Sequence, residues 1–232
     1  GQPVLLDLRQ RLPASLELTL CALLIALALA LPLGIAAALR PGSLVDHAVR
    51  FVCTLGVCVP TFVSGLLLIY VFYFLLGWAP APMGRLDAFA SAPPERTGFY
   101  LIDAAIAGEG ATFISAVSQL ILPILTLAIF TLAPLARMTR AAMLEVLASD
   151  FIRTARASGL PAAMITYRYA FRNAMLPVIT TLGMVFSFLL GGAVLVEKVF
   201  AWPGIGSYAV EALIASDFAP VQGFVLTMAV LY

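Results

Sequence analysis

Residues 150–177 read DFIRTARASGLPAAMITYRYAFRNAMLP, and their pattern decides how the rest of the chain is understood. The stretch lies between two long apolar runs. It is short, basic and helical in spacing, stops at Gly159 and re-enters an apolar run through Leu176-Pro177. Ser149 and Asp150 are residue types that cap a helix start, and Phe151 to Ser158 gives about two turns. Gly159 stands where a glycine ends a helix, and Pro161 keeps the helix from resuming at once. Arg153 and Arg156, three apart, share one flank. Ala155 and Ala157 keep the element slim enough for another surface to approach. A loop that only fixes topology needs charge, but not a bounded helix with small residues and a glycine stop. We therefore expect a second protein to grip this element.

Working outward, 62% of the 232 residues are hydrophobic and only 11% are charged. The mean hydropathy is +1.06. Soluble domains carry about a quarter charged residues, so the composition is that of a membrane protein. A net charge of +1 gives no field that would draw nucleic acid. Cys21, Cys53 and Cys58 all fall inside apolar runs, where cysteine acts as a small hydrophobe rather than half of a disulfide.

Five apolar runs stand out, at about 15–39, 51–76, 119–136, 173–196 and 218–232. A helix needs about 20 such residues to cross the hydrocarbon core. The first four suffice or nearly so, and the last is cut short. The runs do not alternate in polarity, which excludes a β-barrel. Loop charge sets the orientation. Residues 40–50 carry Arg40 and Arg50, and 137–172 carry six arginines against Glu145 and Asp150. Residues 77–118 carry Asp87, Glu95, Asp103 and Glu109 against two arginines, and 197–217 carry three acids against Lys198. Basic loops stay inside, so 137–172 is expected in the cytoplasm and both 77–118 and 197–217 in the periplasm. The proline-rich 80–98 reads as irregular, with a short helix expected near 101–107 and an amphipathic one within 207–216.

The chemistry that this chain lacks narrows its role. A phosphate-binding loop needs Gly-Lys-Ser/Thr, and the one lysine, Lys198, follows Glu197 on the outer side. Ion-coupled carriers place ionisable groups within their spans. Here Glu17 is the exception, and it reads as an interfacial carboxylate reaching water. His47, the single histidine, lies in a loop beside Asp46, where it supports neither a nucleophile nor a metal centre. The chain is therefore not expected to be an enzyme.

Several small or turn-forming residues remain. Gly183, Ser187 and Gly191, four apart, lie on one helix face and suit close helix packing or a substrate path equally. Pro60, near Gly56, Ser64 and Gly65, predicts a kinked second segment whose freed carbonyls face such a path or ordinary packing. Trp202, Pro203 and Gly204 lead into the amphipathic stretch to Asp217, which fits either an interfacial anchor or a periplasmic gate.

Read together, these motifs resemble a known family. Arg153-Thr154-Ala155-Arg156-Ala157-Ser158-Gly159 with Arg172-Asn173-Ala174-Met175-Leu176-Pro177-Val178 resembles the cytoplasmic signature loop of ABC-importer permeases of the dipeptide, oligopeptide and nickel branch. Residues 1–4 (GQPV) with Arg11-Leu12-Pro13, Leu122-Pro123, 137–140 (RMTR), 143–146 (MLEV), 190–197 (LGGAVLVE), 199–206 (VFAWPGIG) and Val221-Gln222-Gly223 agree with it. Arg153-Thr154-Ala155 stands where the broader signature has Glu-Ala-Ala, and Ser158 where this branch often has lysine.

The resemblance implies an all-α polytopic protein with the type I ABC-importer permease fold, here lacking the first helix and the end of the last. It implies a bacterial inner-membrane subunit that pairs with a second homologous permease. Two cytoplasmic ATP-binding subunits, which hold ATP and magnesium, grip the coupling helix. That helix is formed by Ser149, Asp150, Phe151, Arg153, Thr154, Ala155, Arg156, Ala157, Ser158 and Gly159. A periplasmic binding protein delivers a di- or oligopeptide, with nickel, glutathione or another small solute as the alternative cargo. This chain itself binds no cofactor or metal. A carrier driven by an ion gradient is the remote alternative.

Overall fold

A computed structural model of the protein describes residues 3–231. Gly1 and Gln2, which open the motif at residues 1–4, and Tyr232, which ends the 218–232 run, lie outside the described residues. Every regular element among the described residues is a helix. In chain order these are α1 (Val4–Leu39), α2 (Leu44–Cys58), α3 (Thr61–Leu68), α4 (Tyr100–Ala107), α5 (Gly110–Leu147), α6 (Asp150–Ala157), α7 (Ala162–Met164), α8 (Arg172–Val199), α9 (Ile205–Ile214) and α10 (Phe218–Leu231). Two wider π-type stretches, Ile69–Leu75 and Ile165–Phe171, follow α3 and α7.

Three helical stretches, Val4–Leu39, Gly110–Leu147 and Ala162–Val199, are long and apolar enough to cross a membrane. Each outruns its apolar core. A 38-residue helix such as α5 is about 57 Å long, against a hydrocarbon thickness of about 30 Å. The 119–136 run is thus the middle of α5, and the 173–196 run is the greater part of a helix that already begins at Ala162. The 51–76 run is not one straight helix. Val59 ends α2 in extended conformation and Pro60 precedes α3, so the helix breaks there. Proline lacks the N–H that would carry the helix through.

The chain divides into two compact units. The first comprises residues 1–22, 60–128 and 187–232, and the second 23–59 and 129–186. Small residues line the buried stripe of α1, where Leu18, Ala22, Ala26 and Ala30 recur every four positions and are fully buried. Leu20, Leu24 and Leu29 point outward on the other flank. In the second unit α1 approaches α5 so closely that a Cβ on Gly34 would lie 2.6 Å from the Thr139 Cβ. Small residues permit such contact between helices surrounded by lipid, where packing replaces hydrophobic drive. Also in the second unit, Asp46 in the first turn of α2 takes a bidentate hold from Arg140 of α5, at 2.6 Å from Nε and 2.9 Å from Nη2.

The first unit is held by buried polar groups. Glu17 is 2% exposed, accepts from Arg85 Nη2 at 2.6 Å and from the Leu101 amide at 2.8 Å. The carboxylate expected to reach water is therefore sealed inside. Its charge is met by an arginine 68 positions along the chain, which also stacks on the Tyr100 ring and donates to the Gly98 carbonyl. Asp103 gathers the end of the irregular 80–98 segment, accepting from the Arg96, Thr97 and Gly98 amides and the Thr97 hydroxyl. Burial pushes the Asp103 carboxyl up, but these donors outweigh it and leave the group below its ordinary range.

Candidate functional site

Asp150 opens α6, and its first turn is built as the sequence suggests, except at Ser149. That residue occupies the N-cap position in extended conformation, yet its hydroxyl makes no cap bond. It donates back to the Val146 carbonyl at 2.6 Å. A serine at the end of one helix and the start of the next has both options, and here the finished α5 takes it. The exposed Arg153 pairs with Asp150 at 3.1 Å on the outer flank.

The far end of α6 is a complete Schellman stop. Gly159 adopts φ of 75°, its amide donates to the Arg156 carbonyl at 3.0 Å, and the Leu160 amide reaches back to Ala155 at 3.3 Å. The helix resumes immediately after Pro161, which caps α7 in extended conformation. Pro161 thus turns the chain without delaying the next helix.

The two faces of α6 are sharply different. Ile152 and Ala155 are buried among Ile35, Ala38, Ala142, Met143, Ile165, Ala170 and Ala174. Ala155 therefore lets α6 sit close to its own chain. Phe151, Arg153, Thr154, Arg156, Ala157 and Ser158 face outward, joined by the exposed Tyr167 and Arg168 of the π-type stretch. Phe151 is 46% and Tyr167 62% exposed. Such an element is braced from beneath and offers a basic, partly aromatic face above.

The other candidate residues lie on other elements. Pro60 is exposed at the break and Ser64 half-buried on α3. Gly183 and Gly191 are exposed on α8 with Ser187 half-buried between them, and a Cβ on Gly183 would meet nothing within 4 Å. Trp202 is 1% exposed, and its indole N–H donates to the Ala14 carbonyl at 2.9 Å. Burial removes the surface-anchor role that fitted it in sequence. Among the described residues no three His, Cys, Asp or Glu side chains come together to hold a metal ion.

Residues 30–232 match the family described as binding-protein-dependent transport system inner membrane component. The chain belongs to this family. Membership makes it an inner-membrane part of a transport system served by a binding protein. The chain is 48% identical, over its whole length and 68% of the relative's, to the probable D,D-dipeptide transport system permease protein DdpB of Escherichia coli K12. It is 47% identical, over 94% of its length and 65% of the relative's, to the di/tripeptide transport system permease protein DppB of Pseudomonas aeruginosa. Over its full length and 67% of the relative's, it is 36% identical to the oligopeptide transport system permease protein AppB of Bacillus subtilis. It spans about two thirds of the length of these relatives.

For a transport-system membrane component, three features escaped sequence reasoning. They are the Glu17–Arg85 pair, the Asp103 anchor and the bonds of Glu197 to Ser15 and Ser207. A buried carboxylate leaves one trace in sequence, an acid inside an apolar run, and Glu17 showed it. Its partner lies in a loop where arginine is unremarkable.

Proposed function

We propose that this chain forms half of a path through which an ATP-driven importer takes up di- or oligopeptides. The observation that carries this reading is α6, pinned by Ile152 and Ala155 and offering Phe151, Arg153 and Arg156 outward. In this proposal the segment 137–172 lies in the cytoplasm. Two ATP-binding subunits, holding ATP and magnesium, grip α6 from Ser149 to Gly159. A second homologous permease completes the path, and a periplasmic binding protein supplies the peptide. When the ATPases close on ATP, they displace α6. Its buried face carries that displacement to the α5 and α8 residues beneath, and the spans switch the side on which they open. This chain performs no covalent step. Peptide as cargo is supported by the names of its relatives.

The test uses the full-length permease assembled with its partners in vesicles. Gly159→Pro, or Arg153→Ala with Arg156→Ala, is expected to leave the protein in the membrane and abolish ATP-dependent uptake of labelled dipeptide. Full uptake in both variants would overturn the coupling role. Uptake of nickel or glutathione but not peptide would replace the cargo.

A further inference from the structure

α9 begins without a cap of its own. Its N-cap residue is Gly204, which has no side chain to offer, and a Cβ there would run into the Glu197 carboxylate. The amides at the start of a helix need acceptors, and here two other helices supply them. The Ile205 N–H donates to Ser15 Oγ of α1 at 2.9 Å. The Ser207 N–H donates to Glu197 Oε2, near the end of α8, also at 2.9 Å. The Ser15 hydroxyl then donates to Glu197 Oε1 at 2.5 Å, which closes the triangle. Ser15 is 2% and Glu197 1% exposed, and among the described residues no ion pair reaches Glu197. One position earlier on α1, the Ala14 carbonyl takes the Trp202 indole, and further out Tyr208 donates to Asp7 Oδ2 at 2.9 Å.

The connecting turn has little freedom. Ala201 is held at φ of 52°, a conformation unfavourable to a residue with a Cβ, and the Trp202 amide is fixed to the Glu197 carbonyl at 2.7 Å. If α9 swung away from α1 and α8, the Ile205 and Ser207 amides would lose their acceptors together, and Glu197 would keep Ser15 as its side-chain donor.

The geometry points to Ser15 and Glu197 as positioning residues for transport, which fasten α9 to α1 and α8 so that the turn at Trp202, Pro203 and Gly204 moves with those helices as one body and never as a free flap. The importance of this for uptake rests on the importer reading, whereas the fastening itself does not.

The experiment therefore has two readouts. Spin labels are placed at the exposed Leu5 on α1 and Leu213 on α9 of the full-length permease in its complex, with Cys21, Cys53 and Cys58 replaced by serine. The native contacts predict one narrow distance distribution that is the same with and without ATP. Glu197→Ala should broaden it severalfold and Glu197→Gln, which keeps an acceptor for Ser207, much less. In reconstituted vesicles Glu197→Ala should raise the ATP consumed per peptide severalfold while Glu197→Gln stays near native. A native distance that shifts on ATP binding, or an alanine variant as narrow as native, would overturn the fastening. Absence of uptake in the native complex beside an unchanged narrow distance would sink the importer reading and leave the fastening standing.

Discussion

A carboxylate enclosed as Glu17 is, with Arg85 on one oxygen and the Leu101 amide on the other, does not lose its partner cheaply. Breaking a buried pair from one side costs about 3–5 kcal/mol, because the remaining charge has no water to turn to. Arg85→Met alone should therefore lower thermal stability in detergent markedly, and Glu17→Gln added to it should recover a good part of the loss. Asp103 yields a prediction in pH. Its folded carboxyl lies below the ordinary value, so its contribution is fully present above about pH 4 and fades as pH falls through the lower folded value. Protection of the Thr97 and Gly98 amides against hydrogen exchange, relative to the intrinsic rate at each pH, should accordingly hold from neutral pH down to about pH 4 and fall only in stronger acid. Asp103→Asn should exchange faster throughout and lose the acid step. Neither set of partners was legible in the sequence. A charge in an apolar run announces that it needs a partner, but which loop returns to supply it is decided by tertiary folding.

At the scale of the element, α6 was the most legible part of the chain, because its signals are local. A capping-type residue, two turns of sequence and a glycine at C′ need nothing distant to be read. The local misreadings of α6 were small: the Ser149 hydroxyl had two nearby choices, Pro161 did not delay the next helix, and Ala155 turned out to face its own chain. Gly159→Ala should cost about 1–2 kcal/mol through backbone conformation alone, since its Cβ would meet nothing within 4 Å. Gly159→Asn should cost less, and unfolding in detergent would rank the two. The faces of α6 separate stability from docking. Ala155→Leu enlarges a buried position and should cost about 1–3 kcal/mol in thermal stability. Ala157→Leu, on the exposed face, should leave stability within about 0.5 kcal/mol of native and still weaken co-purification of the ATP-binding subunits.

For the whole molecule, hydropathy and charge alternation were enough to recognise a polytopic helical protein, because lipid forces every spanning backbone to satisfy itself. The true helix lengths were not readable, since helices such as α5 run well past their apolar cores. The break before Pro60 was signalled by the proline itself. If the break borders an aqueous path, Ser64→Cys should react with a charged, membrane-impermeant thiol reagent in intact vesicles, and peptide should slow that reaction. Uptake by the complete complex should follow ATP and persist when ion gradients are collapsed.

One consequence concerns biogenesis. α9 takes its missing cap from Ser15, a residue synthesised some 190 positions earlier in the chain. As the nascent protein leaves the insertion machinery, this segment has no side chain of its own with which to begin a stable coil. It must wait until α1 is seated in the bilayer and turned the right way round. A chain whose α1 is misinserted should therefore leave this stretch open to added protease.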